Sequence, residues 1–330
     1  MLDRKLNTDF VEEVRKNNNN FYAHHIHHDY DLLSRIPFYY SLFKHMRNNH
    51  YDIFQCHETA RPLFLIPCWI AKLAGIKHIC ILSHSSLPPT KNFLDKVHNK
   101  LFQTIIKLLG AHQLAVSKVS GEPLFGTKNF QVVYNGIDTT KFSFSPTIRQ
   151  QMRQKQNWND KVVYGHVGRF VPAKNHSFLL EVFYHIRKHQ PNAVLALIGH
   201  GELESKIRQQ ANQLGLKSHV EFLGIQPHLE SFYSAFDAFI FPSIYEGLPM
   251  AGLEAQSAGL PCFFSQAVTD EIDICNTMFL PLSISAEKWA KIVLEKMKEF
   301  KRMDGSVTVK EAGFDIKDTV KNLERIYQNL

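Results

Sequence analysis

The chain has 330 residues, of which 44% are hydrophobic and 21% are charged, a composition that excludes an intrinsically disordered protein. The net charge of +7 lies in residues 1–150, which hold 18 Lys and Arg against 11 Asp and Glu, whereas residues 151–330 hold 20 of each. The basic first half predicts an anionic partner, and an anionic membrane surface or a lipid-phosphate acceptor fits. Nucleic acid is not predicted as a partner, because no nucleic-acid-binding motif accompanies the charge.

Residues 1–50 are predicted to form a helix, a turn and a second helix. The stretch 24–29 contains four histidines, a residue type that binds zinc when suitably spaced. It has no helical or strand period and no partner cysteines, so a strand edge or a surface loop is favoured over a metal site. Asp29 and Asp31 match the Asp-x-Asp metal motif of one class of sugar transferases, but two fixed positions are weak evidence.

Residues 51–150 alternate between strand and helix patterns. The predicted strands are 51–56, 78–82, 114–116 and 131–134, and the predicted helices are 62–74 and 92–109. This order indicates a parallel sheet, whose ligands bind at the carboxyl ends of strands. His84 follows a strand at such an end, where an imidazole can bond a sugar hydroxyl or stabilise developing charge. A purely structural histidine is the alternative.

The helix predicted at 92–109 is amphipathic. Its apolar face consists of Phe93, Leu94, Val97, Leu101, Ile105, Leu108 and Leu109, and its other side carries Lys96, Lys100 and Lys107. One interpretation is a helix that covers the sheet and exposes its lysines. The other is a helix that lies in the plane of an anionic membrane surface.

The turn signal at Asn135–Asp138 precedes a polar stretch that runs through Asn157, so a domain boundary is predicted near residue 150. Strand and helix patterns then resume as a second doubly wound domain. Its predicted strands are 162–167, 193–198, 219–223, 237–241 and 260–264. Two such domains are predicted to face each other across a ligand-binding cleft.

Two cations follow the first strand of this second half. Arg169 offers a planar fork for phosphate oxygens and Lys174 a point charge, and together they could neutralise a diphosphate without a metal. Two solvated loop cations are the alternative. Gly199 and Gly201 predict a close backbone approach, which is weak evidence of a nucleotide by itself.

The stretch Glu246–Glu254 follows the strand 237–241 and opens a helix near Pro249. The N–H groups of Gly247 and Leu248 are predicted to form an anion site before that helix. Two carboxylates that flank an anion site suit a ligand with hydroxyls at both ends and phosphate between them, as in a nucleotide sugar. A capped surface helix with two solvated acids is the alternative.

These motifs together resemble those of the retaining glycosyltransferases of family 4, which have the GT-B fold, and most of all bacterial exopolysaccharide and capsule glycosyltransferases. The matching stretches are Asn135–Asp138, Gly168 and Arg169 with Lys174 and Asn175, Ile198–Glu202, Glu246 with Glu254, Ala115–Lys118, Leu124–Gly126 and Ala255–Pro261. The resemblance extends from about residue 45 to the end of the chain.

The resemblance implies a role for each matching residue. Arg169 and Lys174, on the loop that begins at Gly168, would hold the donor diphosphate and stabilise the leaving group. Glu254 would accept hydrogen bonds from the nucleotide ribose, and Glu246 would contact the donor sugar.

Backbone N–H groups of Gly247 and Leu248 would touch sugar and phosphate, and His84 would lie near the reacting sugar. No metal or other cofactor is implied, and retention is ascribed to front-face attack assisted by the leaving phosphate. The helix at 315–330 would cross back onto the first domain, 1–150, leaving 151–314 as the nucleotide-sugar domain.

The predicted function is therefore transfer of a hexose from a nucleotide-diphosphate sugar to a lipid-linked saccharide, by a cytoplasmic enzyme at the inner face of the membrane. Members of the family usually begin with a strand, a glycine-rich loop and a helix that this sequence lacks, so a truncated first domain and weak or absent activity are expected. A non-catalytic nucleotide-sugar-binding subunit is the main alternative. A sugar-nucleotide 2-epimerase is less favoured, because only Glu58 and Asp95 are nearby acid–base candidates.

Overall fold

The computed structural model of the chain describes residues 36–58, 65–84, 93–127 and 129–330. The histidine-rich stretch 24–29 and the Asp-x-Asp match lie outside the described residues, and their interpretations stay predictions. Two compact units make up the chain. The first consists of Met1–Ile81 and Lys100–His112, and the second of Leu82–Asn99 and Gln113–Leu330.

The first sheet has four strands in chain order. They are β1 Ile53–Glu58, β2 His78–Ser83, β3 His112–Ala115 and β4 Gln131–Val132. The helices in this part of the chain are Ile36–Asn49, Leu65–Leu73, Phe93–Leu109 and Lys118–Phe125. All four predicted strands are present, and β3 and β4 pair in parallel. The helix Lys118–Phe125 was not predicted, and a capping box between Ser117 and Ser120 begins it.

In the first unit, Lys72 connects the C-terminal ends of the helices Leu65–Leu73 and Phe93–Leu109 by hydrogen bonds. Lys72 Nζ donates to the carbonyl oxygens of Leu108 and Leu109, at 3.2 and 2.6 Å. Ile106 and Leu109 are buried, but Leu101 and Leu108 are 57% and 66% exposed. These two leucines do not enter the core, so the interpretation that the whole apolar face of this helix covers the sheet is wrong in part.

The second sheet has six parallel strands in the order β10-β9-β8-β5-β6-β7. They are β5 Val162–Val167, β6 Ala193–Ile198, β7 Val220–Gly224, β8 Ala238–Phe241, β9 Cys262–Ser265 and β10 Thr277–Leu280. The accompanying helices are Pro146–Lys155, His176–His189, Glu204–Gln213, Leu229–Ala235, Met250–Ser257, Ala286–Glu299, Ser306–Val309 and Ile316–Gln328, with 3-10 turns at Pro172–Lys174 and Asp270–Ile272 and a π-helical turn at Lys310–Phe314. Because β6 lies on one side of β5 and β8 on the other, the chain direction across the sheet reverses between β5 and β8.

Aromatic side chains fill the core around this sheet. Gly165 in β5 faces Phe236, whose ring lies where a Cβ would be, at 2.1 Å, so a glycine is required there. Trp289 is fully buried and meets the ring of Phe178 edge-on. The predicted α/β class is confirmed, since both sheets are built from alternating strands and helices. No helix in the described ranges combines the length and apolar character of a membrane span.

Within the polar stretch that follows the Asn135–Asp138 turn, residues Pro146–Lys155 form a helix. Ser145 caps it, and proline occupies its first turn. Its Arg149 Nη2 and Arg153 Nη1 lie 2.5 and 3.0 Å from the carboxylate oxygens of Asp237. Two of its polar residues therefore form ion pairs with the residue that precedes β8 and are not simply solvated. The predicted boundary at residue 150 falls inside this helix, and the domain division stays a prediction.

The C-terminal helix Ile316–Gln328 lies against the turn that follows β4. Ile137 donates its N–H to Phe314 O, and Ile316 donates its N–H to Ile137 O, both at 2.8 Å. Thr319 Oγ1 donates to Tyr134 O. These bonds join the end of the chain to the Asn135–Asp138 motif.

We predict that Asp237→Asn lowers the free energy of unfolding by about 3 kcal/mol, because two partly buried arginines lose their counter-charge. Asp237 also accepts the N–H of Val163, at 2.7 Å, so the damage reaches β5. Urea unfolding followed by circular dichroism measures the change. The matched control is Glu204→Gln, which breaks the more exposed pair with Arg208 and should cost less than about 0.5 kcal/mol. Equal effects of the two substitutions would contradict this account.

Candidate functional site

An ion pair lies between β5 and β8, where the order in which strands are added to the second sheet reverses. Lys174 lies on the loop that follows β5, and Glu246 lies on the loop that follows β8. Lys174 Nζ is 2.6 Å from Glu246 Oε1, and both side chains are largely buried. The ammonium also lies 4.6 Å from the centroid of the Phe241 ring. In open α/β sheets, ligands bind in the crevice at this position, so the pair marks the candidate site.

A short turn sets the position of the lysine. Pro172–Lys174 forms a 3-10 turn, and Asn175 follows in the left-handed conformation with φ of 53°. The carbonyl oxygen of Ala173 accepts the N–H of Ile244, at 2.7 Å. This bond joins the loops after β5 and β8, so the lysine and the glutamate are held together by backbone as well as by charge.

The two glycines after β6 allow the backbone to approach that same loop. A Cβ on Gly199, whose φ is 142°, would lie 2.0 Å from the carbonyl oxygen of Gly168. A Cβ on Gly201 would lie 2.6 Å from the carbonyl oxygen of Phe170. The predicted close approach is present, and its partner is the chain itself: the glycines give room to the backbone on both sides of Arg169.

Arg169 is exposed at the start of the loop. Within the described part of the chain, its guanidinium makes no ion pair or side-chain hydrogen bond. It is therefore available to an anionic ligand, whereas Lys174 has to share its charge with Glu246. The structure thus places the two predicted cations on one loop, where Lys174 is paired with a carboxylate and Arg169, among the described residues, is not.

Glu254 lies in the helix Met250–Ser257, one carboxylate further along the chain from Glu246. Its Oε2 accepts a hydrogen bond from the hydroxyl of Tyr233, at 2.8 Å. Burial raises the pKa of Glu254 to about 7, and the Tyr233 bond and the charge of Lys141 oppose that rise. The carboxyl group of Glu254 therefore gains or loses its proton near neutral pH.

The loop between Glu246 and Glu254 receives a hydrogen bond from Ser117, which caps the helix Lys118–Phe125. Ser117 Oγ donates to the carbonyl oxygen of Gly247, at 2.7 Å, and Leu248 is buried. Among the described residues, the N–H groups of Gly247 and Leu248 have no hydrogen-bond acceptor. Within the described ranges these N–H groups are therefore not engaged, and the anion site that the sequence predicts here stays a prediction.

His84 follows β2 directly and is half-buried. Its Nδ1 lies 3.4 Å from the amide nitrogen of Asn135, which is a weak hydrogen bond. The structure therefore brings the predicted histidine to the Asn135–Asp138 turn. The role near a reacting sugar that the resemblance gives to His84 stays a prediction.

Several residues near the site carried no signal in the sequence. Glu271 accepts the N–H of Lys118, at 2.8 Å, and the hydroxyl of Tyr134, at 3.1 Å. Ser117 could have been found, because it follows a strand within the quoted motif Ala115–Lys118. Tyr233 and Glu271 could not, because nothing in their own segments indicates their partners.

A pair of buried histidines lies beside the lysine loop. His166 Nδ1 donates to Ile240 O at 2.9 Å, and the ring of His176 lies 4.7 Å from that of His166 and stacks on Phe170. Neither nitrogen of His176 has a hydrogen-bond partner among the residues that the structure describes. Burial, and to a lesser extent the charge of Lys174, together lower the pKa of His176 to about 4. The ring is therefore neutral at physiological pH and adds no charge to the site.

Metal-ligand groups are not found here: no three His, Cys, Asp or Glu side chains cluster as a cation site within the described ranges. All five cysteines lie in the described ranges as free thiols, and three of them are buried. The candidate site offers a ligand two cations, two carboxylates and the backbone N–H groups of Gly247 and Leu248.

We predict that His176→Phe makes the protein less sensitive to acid. A histidine whose pKa falls from 6.5 when unfolded to about 4 when folded costs nothing above pH 6.5 and costs progressively more below it. From pH 7.5 to pH 5 this amounts to about 2 kcal/mol of lost unfolding free energy. Urea titrations at both pH values should show that loss in the wild type and a loss smaller by about 2 kcal/mol in the variant.

The control for this experiment is His189→Gln, which replaces an exposed ring at the end of the same helix. It should leave the acid-induced loss as in the wild type. An identical loss in His176→Phe and the wild type would show that His176 is not the group that must be protonated.

Comparison with known proteins gives consistent matches. Residues 148–274 match the family model described as glycosyl transferases group 1. The putative glycosyltransferase EpsF of Bacillus subtilis is 30% identical over 268 residues, which cover 78% of this chain and 70% of that protein. A 27% identity over 241 residues, 68% of this chain and 60% of the relative, links it to an Escherichia coli galactosyltransferase. The name of that enzyme gives UDP-Gal as donor and an α-D-GlcNAc-diphosphoundecaprenol acceptor.

Among solved structures, HepE of Anabaena in complex with UDP and glucose superimposes with a TM-score of 0.76. The match covers 92% of this chain and 84% of HepE at 17% sequence identity. At that identity the likeness shows a shared fold. The part of the chain that matches the family model contains every candidate site residue except His84.

Proposed function

Because this chain belongs to the glycosyl transferases group 1 family, we propose that it transfers a hexose from a nucleotide-diphosphate sugar to a lipid-linked saccharide in exopolysaccharide or capsule synthesis. The observation that carries the proposal is the Lys174–Glu246 pair at the direction reversal of the sheet, with Glu254 eight residues further on. The E. coli relative supports a lipid-linked acceptor, and HepE, crystallised with UDP and glucose, supports a uridine nucleotide as the first donor to test.

The donor diphosphate is proposed to bind between the two loops. Arg169, whose guanidinium has no partner among the described residues, meets one phosphate with its planar fork, and Lys174 meets the other. The N–H groups of Gly247 and Leu248 add neutral donors at the start of a helix, where the dipole favours negative charge. These groups hold the charge that develops on the leaving nucleotide, so the proposal requires no metal ion.

The two carboxylates are proposed to bind different parts of the nucleotide sugar. Glu246 is proposed to accept hydrogen bonds from the donor sugar while it orients Lys174, and Glu254 to accept them from the ribose. His84 is proposed to lie near the reacting sugar. The anomeric configuration is proposed to be retained by front-face attack, in which the acceptor hydroxyl bonds to the anomeric carbon as the phosphate leaves and takes the proton.

We predict that Glu246→Gln lowers hexose transfer by roughly 100-fold but changes the Kd for UDP by less than about threefold, because the lost contacts are to the sugar in the transition state. Lys174→Met should weaken UDP binding itself by about tenfold or more. Transfer is measured with radiolabelled UDP-hexoses and undecaprenol-linked saccharides, and UDP binding by calorimetry. Glu204→Gln is the control, since its carboxylate lies in an exposed pair. EDTA should leave the rate unchanged.

An equal loss of UDP affinity in Glu246→Gln and Lys174→Met would mean that Glu246 only holds the lysine. A wild-type chain that binds UDP but forms no product from any donor in a panel would favour the non-catalytic subunit. Mass spectrometry of the products would identify the sugar.

We also propose that the first unit meets the anionic inner surface of the cell membrane, where a lipid-linked acceptor resides. Leu101 and Leu108 are exposed along the helix Phe93–Leu109, and Lys100 and Lys107 are exposed beside them. Lys72 joins this helix end to the helix Leu65–Leu73, whose Leu73 is 70% exposed. Apolar side chains next to lysines are what an interfacial helix requires.

We predict that Lys100→Glu with Lys107→Glu reduces binding to phosphatidylglycerol vesicles by about tenfold or more, since each basic residue near such a surface contributes about 1 kcal/mol. Vesicle sedimentation measures the bound fraction. The matched control, Lys291→Glu with Lys298→Glu, removes the same charge from two exposed positions of the helix Ala286–Glu299 in the second unit. Unchanged vesicle binding by the Lys100 and Lys107 variant would exclude this helix.

A further inference from the structure

Glu254 receives its hydrogen bond from a residue with no exposed surface. Tyr233 is fully buried, and its ring is enclosed by Phe142, Phe236 and Phe239, with ring centroids 5.7 to 6.1 Å away. A buried hydroxyl needs a partner, and the partner here is Glu254 Oε2, at 2.8 Å. In the described part of the chain, Glu254 Oε1 accepts no hydrogen bond. One oxygen of the carboxylate is therefore occupied and the other is open.

The helix that carries Tyr233 is only seven residues long, Leu229–Ala235, and its C-terminal carbonyl groups are held by arginines. Arg302 donates to the carbonyl oxygens of Tyr233, Ser234 and Phe236, at 2.8 to 2.9 Å. Arg149 donates to Phe236 O, at 2.8 Å. Cations at a helix C-terminus satisfy its free carbonyl groups and its dipole, so this short helix is fixed in place.

The same Arg302 also fixes the helix that carries Glu254. Its Nη2 and Nε donate to the carbonyl oxygen of Ala258, the residue that ends the helix Met250–Ser257, at 2.6 and 2.9 Å. One planar guanidinium thus joins the C-terminal ends of both helices. The distance between Tyr233 and Glu254 is set by backbone anchors as well as by their own hydrogen bond.

We propose that Tyr233 is a positioning residue for nucleotide binding: its hydroxyl holds Oε2 of Glu254 and favours the charged carboxylate, which leaves Oε1 to accept the ribose hydroxyls. This inference rests on the proposed function, in which Glu254 binds the ribose. Tyr233 itself touches no ligand. Its side chain acts only through the carboxylate.

The charges around Glu254 give the inference a measurable signature. The pKa of Glu254 is raised to about 7 by burial, while the Tyr233 hydrogen bond and Lys141, itself paired with Glu230, pull it down. The other titratable groups on the elements packed against this helix are Tyr233 and Glu230 on the helix Leu229–Ala235 and Cys262 on β9, and Arg302 lies at the C-terminal ends of both helices. Since only the carboxylate form accepts two hydroxyl donors, nucleotide affinity should fall as pH falls through about 7. Removing the tyrosine hydroxyl should move that midpoint to higher pH.

The experiment is calorimetric titration of the full chain with UDP from pH 6 to pH 9. Tyr233→Phe keeps the ring and its packing and removes only the hydroxyl. Its midpoint should rise by about one pH unit, which makes UDP binding about fivefold weaker than the wild type at pH 7 and nearly equal at pH 9. Ionisation of the UDP phosphate is common to both proteins, so the ratio of their Kd values removes it.

Two further variants guard the interpretation. Tyr164→Phe removes another buried hydroxyl, which donates to Gln190 at 2.7 Å, and should not move the midpoint. Glu254→Gln should abolish the midpoint, and this holds as a test even if Tyr233→Phe failed to fold. A loss of affinity in Tyr233→Phe that is the same at every pH, or no loss, overturns the positioning role while the nucleotide site stands. A wild-type chain that binds neither UDP nor GDP overturns the positioning role and the proposed function together.

Discussion

The ion pair between Lys174 and Glu246 depends on the order of strands in the second sheet. β5 and β8 are neighbours in the sheet but are separated in the chain by two complete strand–helix units. Their following loops diverge to opposite sides, and the two side chains meet in the opening between them. The backbone bond from Ile244 to Ala173 fixes the same opening. If either strand shifted in register, the lysine would lose its partner and the site its shape.

Arginines connect the stability of the fold to the geometry of the site. Arg149, Arg153 and Arg302 all donate to carbonyl groups between residues 233 and 237, where a short helix gives way to β8. Asp237 supplies the counter-charge for two of them. Arg302 also donates to Ala258 O, so the chain leading into β8 is anchored to the C-terminal end of the helix that carries Glu254.

The sequence pattern predicted the parts of this protein that have a strong period or a punctuating residue. The predicted strands 162–167 and 193–198 agree with the structure to the residue. A short apolar run bounded by polar turns is typical of a strand buried on both faces of a parallel sheet, so its ends can be identified from the sequence. The helix Pro146–Lys155 was missed because its polar residues suggested solvent, whereas its arginines point inward to Asp237. β10 was missed for a related reason, since its four residues are mostly half-buried at the edge of the sheet.

By itself the sequence determined the α/β class, the GT-B fold that the comparisons confirm, and the motif residues of the proposed donor site: Gly168, Arg169, Lys174, Glu246, Gly247, Leu248 and Glu254. Those features are local, because a loop after a strand and two acids eight residues apart can be identified in one segment. Only the tertiary structure decided which groups support them. Tyr233 reaches Glu254 from 21 residues away and Ser117 reaches Gly247 from 130, and such contacts depend on packing that no local pattern encodes.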